Sequence, residues 1–127
     1  MTGKEFEELV KQGVEQLPRH IRKLLENVDI VIEDWPSKSI IEKLRLPNKY
    51  ALFGLYQGVP KTKRGTHYAN VLPDKITLFK KPIEESAKSP EEIKNIVKRV
   101  VWHEIAHHFG LDEKRVRQLE KKKFKKL

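Results

Sequence analysis

Three of the five histidines of the chain lie within six residues, from His103 to His108. This segment reads His-Glu-Ile-Ala-His-His and contains the pattern H-E-x-x-H. On a helix, residues i and i+4 lie one turn apart on one face, so His103 and His107 can direct their rings at one metal ion. Glu104 is turned about 100° from His103 and can accept a proton from a water molecule that the ion activates. The spacing predicts one zinc ion per chain, with Glu104 as the general base.

The residues before the motif predict a long helix that presents it. Ser89 and Pro90, followed by two acidic residues, are typical of a helix start, and Gly110 is typical of a helix end. An apolar stripe along this helix continues into Glu104 and His107; its members are Ile93, Ile96, Val97, Val100 and Val101. Because buried carboxylates and imidazoles need partners that offset lost hydration, the pattern favours a metal site over a histidine network bonded to backbone carbonyls.

A zinc site needs a third protein ligand. Glu113 lies ten residues after His103, which is the spacing of the third ligand in H-E-x-x-H-x-x-G-x-x-H. We therefore predict His103, His107 and Glu113 as the metal ligands. Asp112 is the competing candidate, although capping of a following helix is its favoured role.

Three other residues are weaker candidates for the site. Glu120 lies seven residues after Glu113 and would share its helix face. His67 lies in a predicted loop and is interpreted as a surface residue. His108 is expected to support the site rather than to bind the metal.

The remaining sequence predicts an α+β fold in which a small sheet packs against helices. The length of 127 residues predicts one domain over residues 1–127. Helices are predicted over 4–17, from Pro18 to about 25, over 37–44, 89–109 and 112–122. Strands are predicted from 28 to near 35, over 50–56 and over 76–79, with a possible short strand at 68–71.

Composition excludes several function classes. Cysteine is absent, which excludes disulfides, thiolate zinc sites and cysteine nucleophiles and is compatible with a reducing cytosol. No apolar run approaches the roughly 18 residues of a membrane span, and the first residues are too acidic for a signal peptide. We therefore expect a cytoplasmic protein without a membrane partner.

The net charge of +9 is concentrated at one end of the chain. Residues 114–127 contain eight basic residues and one acidic residue, so this predicted basic helix or tail carries +7. Such a run is more often a solvated helix face than a binding surface. A nucleic-acid partner is accordingly the second choice, after a peptide or protein substrate.

Three stretches together resemble the small bacterial zincin-like metallopeptidases, a family with a minimal matrix-metalloprotease-like domain. They are HEIAHHFGLDE at 103–113, LFGLYQGVP at 52–60 and LPDKITLF at 72–79. The resemblance covers about residues 45–120. It implies a compact zincin-like fold with zinc on His103 and His107, and an acidic residue near Glu113 is normal in that family. The chain departs from larger metzincins, since the third ligand is not histidine and no methionine turn is possible.

A second, partial resemblance is to the metal-dependent endoribonucleases of ribosomal RNA maturation, which carry H-G-x-x-H-x-x-G-x-D-H. Four residues fall in register with that pattern: His103, His107, Gly110 and Asp112. Glu104 stands in place of its glycine and Glu113 in place of its last histidine, which favours the peptidase. The leading hypothesis is therefore zinc-dependent peptide-bond hydrolysis; an endoribonuclease and a catalytically silent zinc-binding module are the alternatives.

Overall fold

The structure, a computed structural model, describes residues 1–58 and 74–109. The described helices are α1 (Gly3–Glu15), α2 (Arg19–Leu24), α3 (Lys38–Lys43), α4 (Lys80–Ser86) and α5 (Pro90–His108), with a 3₁₀ turn at Leu25–Asn27. The described strands are β1 (Val28–Glu33), β2 (Gly54–Gln57) and β3 (Asp74–Phe79). The predicted strand at 68–71, the last helix and the basic tail lie outside these ranges.

The three strands form one mixed sheet in the order β1-β3-β2. β1 runs parallel to β3, from Val28 opposite Asp74 to Glu33 opposite Phe79. β2 runs antiparallel to β3, from Gly54 opposite Leu78 to Gln57 opposite Lys75. The central strand β3 is consequently the most buried, and the mixed sheet with its helices confirms the predicted α+β class.

Helix starts follow the predicted capping pattern. The hydroxyls of Thr2, Ser37 and Ser89 each accept a hydrogen bond of 3.1 Å from the backbone N–H three residues later. Each bond satisfies one of the N–H groups that a helix start leaves without an intrahelical partner. The predicted starts of α3 and α5 are confirmed, and α5 runs unbroken through the H-E-x-x-H motif to His108.

The core lies where α1 and α5 pack together and against the sheet. Among residues 1–58 and 74–109 it contains fifteen buried hydrophobic residues: Phe6, Val10, Leu17, Ile21, Leu25, Ile76, Leu78, Phe79, Ile83, Ile93, Val97, Val101, Trp102, Ile105 and Ala106. Six of them belong to α5, so the helix that carries the motif is anchored over most of its length. Within residues 1–58 and 74–109, no helix is long and apolar enough to cross a membrane.

The strand predicted over 50–56 is shorter than the sequence indicated, and it begins later in the chain. Residues 50–53 are not in a strand, and β2 begins at Gly54. The Tyr50 N–H donates a 2.9 Å hydrogen bond to the Asn48 side chain, which forms a local turn instead of a ladder. Tyr50 is 45% exposed and packs edge-on against Trp35. Tyr50, the first aromatic residue of the predicted strand, therefore belongs to a surface cluster.

Helix α4 is an element that the sequence pattern did not predict. It has no side-chain cap, and one apolar residue, Ile83, is not enough to show helical periodicity. Its first turn is held by an ion pair in which Lys80 Nζ lies 2.7 Å from Glu84 Oε1. This pairing raises the pKa of Lys80, chiefly through the hydrogen bond to Glu84. Helix α4 therefore forms because it is buried against the core, not because of a local sequence signal.

Lys98 is a buried cation on α5, five residues before the motif. It is 6% exposed, and its Nζ donates a 3.0 Å hydrogen bond to Gln16 Oε1 at the end of α1. Burial lowers the pKa of Lys98 below its ordinary value of 10.5, because the charged form loses hydration. The unfolded chain therefore binds this proton more tightly than the folded protein, and the charge costs stability at neutral pH.

Replacing Lys98 with methionine is expected to raise the free energy of unfolding at pH 7 by about 1 kcal/mol, since methionine keeps the aliphatic packing and removes the buried charge. Urea unfolding at several pH values measures the difference between the variant and the wild type. The difference should shrink as the pH rises towards 10.5, where Lys98 loses its proton in both states. Lys88→Met, at an exposed position, is the control and should be neutral at every pH. A Lys98→Met protein that is less stable at pH 7 would contradict this account.

Candidate functional site

The H-E-x-x-H residues lie on the last two turns of α5. The rings of His103 and His107 are neighbours on the helix surface, with their centroids 4.4 Å apart and their planes inclined by 53°. His103 is half-buried, whereas His107 is exposed. The predicted pair of imidazoles on one helix face is therefore present, although the sequence pattern placed His107 deeper than it lies.

Glu104 lies half-buried between this helix and the sheet. Burial raises the pKa of its carboxyl group, because the charged form loses contact with water. Three groups act against this rise: the Tyr56 backbone N–H, which donates a hydrogen bond to the carboxylate, and the rings of His103 and His107. A carboxylate with a raised pKa that is still held by a fixed donor is suited to accept and return a proton.

The strand register explains why the Tyr56 N–H can reach Glu104. The Phe79 N–H donates to the Phe53 carbonyl at 2.9 Å, so these residues form a hydrogen-bonded pair of the antiparallel ladder. Such pairs alternate with pairs that are not hydrogen-bonded, and Tyr56, three residues after Phe53 and opposite Ile76, is of the second kind. Its N–H therefore points away from β3, towards the side on which α5 lies.

The side chain of Tyr56 ties the same strand to the end of α5. Its hydroxyl donates a 2.7 Å hydrogen bond to Asp74 Oδ2 at the start of β3. Its ring stacks on the His108 ring, with 3.9 Å between centroids and 16° between planes. His108 Nε2 in turn lies 3.7 Å from Asp74 Oδ2. Tyr56 thus positions both Glu104, through its backbone, and the last turn of α5, through its ring.

Gly54, at the start of β2, allows this strand to approach α5 closely. A Cβ atom built on Gly54 would lie 2.5 Å from Val100 Cγ1 and 3.2 Å from the Thr77 carbonyl oxygen. Real Cβ contacts are never that short, so any larger residue would separate strand and helix. The absence of a side chain at this position therefore brings the Tyr56 N–H within reach of Glu104.

A cavity of about 280 Å³ opens beside Glu104, between α5 and the segment that leads into β2. Seven of the residues that the structure describes line it: Leu52, Phe53, Gly54, Arg99, Val100, His103 and Glu104. The motif therefore borders a concave space in which a substrate group can lie next to the predicted base.

The structure brings His103, Glu104 and His107 together as predicted. Glu113, Asp112, Glu120 and His67 lie outside the described residues. Within the described ranges no cluster of three or more histidine, aspartate or glutamate side chains is arranged to hold a metal ion.

Sequence patterns missed Gly54, Tyr56 and Asp74. Tyr56 is separated from Asp74 by 18 positions, and neither residue forms part of a local motif. The available signals were the stretches at 52–60 and 72–79, which entered the family resemblance without a role for any of their members.

Comparison with known families agrees with this geometry. The sequence model of the zincin-like metallopeptidases matches residues 25–123. The chain belongs to this family. The match extends from the 3₁₀ turn before β1 through the whole H-E-x-x-H motif, and it confirms the resemblance seen in the sequence. No individual curated protein is significantly similar to the chain.

The donors of this zincin-like protein fit a zinc ion. Zinc is commonly held by imidazole nitrogens together with a carboxylate oxygen, and no thiolate is required. His103 and His107 supply two imidazoles from one helix face. The chain offers carboxylates for a third position at Glu113 and Asp112.

Proposed function

We propose that this zincin-like metallopeptidase is a zinc-dependent hydrolase of peptide bonds in which Glu104 is the general base. The observation that carries the proposal is the setting of Glu104. Its carboxylate is half-buried, has a raised pKa, accepts a hydrogen bond from Tyr56 and borders a cavity next to two imidazoles. Membership of the family adds that peptides or proteins are the substrates.

His103 and His107 would hold the zinc ion, with Glu113 as the proposed third ligand and Asp112 as its competitor. When bound, the ion would supply Lewis acidity, which makes a water molecule more acidic and polarises a carbonyl group. Glu104 accepts a proton from the attacking water and then donates it to the nitrogen of the leaving amine. The Tyr56 N–H keeps the carboxylate oriented during both transfers.

Two other features support this assignment of roles. Leu52, Phe53 and Val100 give the cavity beside Glu104 an apolar wall, against which carbon atoms of a substrate can pack. The stacking of Tyr56 on His108 fixes the last turn of α5, after which the chain continues towards Glu113.

We further propose that residues 1–127 act as a single domain.

Metal analysis tests the proposal most directly. Protein purified without a histidine tag should contain about one zinc ion per chain by elemental analysis, as expected for a catalytic zinc site with three protein ligands. His103→Ala should lose most of this zinc, because an open site with two remaining ligands binds weakly. The same preparation should hydrolyse members of a broad peptide library, and a chelator should stop the reaction.

His20→Ala is the matched control, because His20 lies on α2 and its ring contacts Trp102 rather than the motif. This variant should keep its zinc. If neither the wild type nor the control binds zinc, the metal site and the proposed function fail together. If His103→Ala keeps a full complement of zinc, the ligand assignment is wrong.

The two alternatives make different predictions in the same experiments. An endoribonuclease would cleave RNA with a steep dependence on salt, because phosphate contacts release counterions. A silent module would bind one zinc ion and cleave neither substrate. Glu104 in place of the glycine of the nuclease pattern favours the peptidase.

A further inference from the structure

We propose that the cavity beside Glu104 accepts a glutamate side chain of the substrate, next to the bond that is cleaved, and that Arg99 pairs with its carboxylate. The inference rests on the proposed peptidase function and adds a substrate class to it. It would make this protein selective for acidic peptides.

The walls of the cavity suit the aliphatic part of such a side chain. Leu52, Phe53 and Val100 give it an apolar lining, and Gly54 adds no side chain. The two methylene groups of a glutamate can bury apolar surface against this lining. The shorter aspartate makes less of this contact, so glutamate is the preferred occupant.

Arg99 supplies the positive charge that would pair with the carboxylate of the substrate. It lines the cavity and lies four residues before His103, so the two side chains share a face of α5. Arg99 is exposed and makes no ion pair or hydrogen bond with any residue of the described ranges 1–58 and 74–109. The neighbouring Lys94, by contrast, is paired with Glu91 at 2.7 Å. The guanidinium is therefore available for the two-pronged hydrogen bonding that carboxylates form with arginine.

The charges around the cavity agree with an acidic occupant. Among the described residues that line it, Glu104 is the one acidic residue. It lies five residues from Arg99, which is about 7.5 Å along a helix axis, and it is flanked by His103 and His107. A carboxylate paired with Arg99 would thus lie away from the predicted base. The net charge of +9 also raises the local concentration of acidic peptides.

Matched peptides test the inference. A peptide library first locates the bond that is cleaved. Pairs of peptides are then made that carry either glutamate or glutamine at a position next to that bond, and kcat/KM of the zinc-loaded protein is measured for both members of each pair. For the wild type we expect kcat/KM to be about two- to fivefold higher for the glutamate peptide, as expected for an exposed charge pair. Arg99→Gln should bring this ratio close to one. Arg99→Glu should instead favour a peptide with lysine at the same position.

Arg22→Gln is the control, because it removes one positive charge from the exposed helix α2 without touching the cavity. It should keep the preference for glutamate, which separates local pairing from the effect of net charge. A binding measurement complements the kinetics: by fluorescence anisotropy, the zinc-loaded Glu104→Gln protein should bind the glutamate peptide more tightly than the glutamine peptide, and the added substitution Arg99→Gln should remove the difference.

The outcomes separate this inference from the proposed function. If peptides are cleaved but the preference for glutamate is absent, or survives in Arg99→Gln, the inference is wrong and the peptidase stands. If no peptide is cleaved, the proposed function fails. In that case the inference, which rests on that function, fails with it.

Discussion

Glu104→Gln is expected to lower kcat/KM for peptide hydrolysis by about 10²- to 10⁴-fold while the bound zinc stays at about one ion per chain. The amide of glutamine has nearly the same shape as the carboxylate and can still accept the hydrogen bond from the Tyr56 N–H. It cannot take a proton from water at neutral pH. The substitution therefore removes the base and leaves the two histidines and the cavity in place.

The folded protein should tolerate this substitution well. Glu104 is half-buried, and burial disfavours its charged form, so a neutral amide is expected to be at least as stable. Thermal or urea unfolding of the two proteins under the same conditions measures this. Lost activity together with full stability and full zinc content would assign a chemical role to Glu104.

Glu91→Gln is the matched control for this experiment. It makes the same chemical change on the same helix, thirteen residues earlier, which is about 20 Å along the axis. Glu91 is exposed and pairs with Lys94, so this variant should keep the wild-type kcat/KM. A Glu104→Gln protein that binds zinc and remains fully active would show that Glu104 is not the base.

Gly54→Ala is expected to have the second large effect, on stability and activity together. The added methyl group would meet Val100 Cγ1 at 2.5 Å. Valine on a helix has one strongly preferred rotamer, so Val100 cannot easily turn away. Overpacking of this kind costs about 1–3 kcal/mol, and part of the cost would be relieved by a shift of β2 away from α5. The free energy of unfolding should fall by that amount.

The activity of Gly54→Ala should fall further than its stability explains. A shift of β2 displaces the Tyr56 N–H from the Glu104 carboxylate and changes the cavity wall at Gly54. Misplacement of catalytic groups by about 1 Å can cost about 10²-fold in rate. Peptide hydrolysis should therefore be measured well below the unfolding temperature of the variant, where the protein is fully folded.

Two further variants make this prediction specific. Gly3→Ala is the control, because a Cβ atom on Gly3 has no neighbour within 4 Å and the residue begins α1. It should be neutral or slightly stabilising. Val100→Ala removes the methyl groups that the new Cβ would meet, so the double variant should recover part of the activity lost by Gly54→Ala. Wild-type stability and activity in Gly54→Ala would contradict the close contact of β2 with α5.

The features that could be predicted from the sequence are those that depend on nearby residues. The starts of α3 and α5 follow from Ser37 and Ser89, since a hydroxyl reaches the backbone N–H three residues later. The pairing of His103 with His107 follows from helical periodicity. The α+β class follows from alternating strands and apolar helix faces. Each of these features depends on the spacing of residues within a single helix or strand.

The features that only the tertiary structure decided depend on residues far apart in the chain. Residues 50–53 carry strand-like side chains, but a local turn at Asn48 holds Tyr50, and β2 begins only at Gly54. Helix α4 has no periodic signal and forms because the core buries Ile83. Local patterns contain no information about such contacts.

The setting of the candidate base shows the same division. The sequence alone identified Glu104 and its two histidines, because their spacing is a property of one helix. The partner of Glu104, the backbone N–H of Tyr56, carries no side-chain signature, and it is available because the ladder with β3 turns it outward. Gly54 brings strand and helix close enough for this bond, and Arg99 meets the apolar wall only when the chain has folded. The proposed chemistry thus depends on local spacing, while the surroundings that orient the candidate base and shape the cavity arise from packing between distant segments.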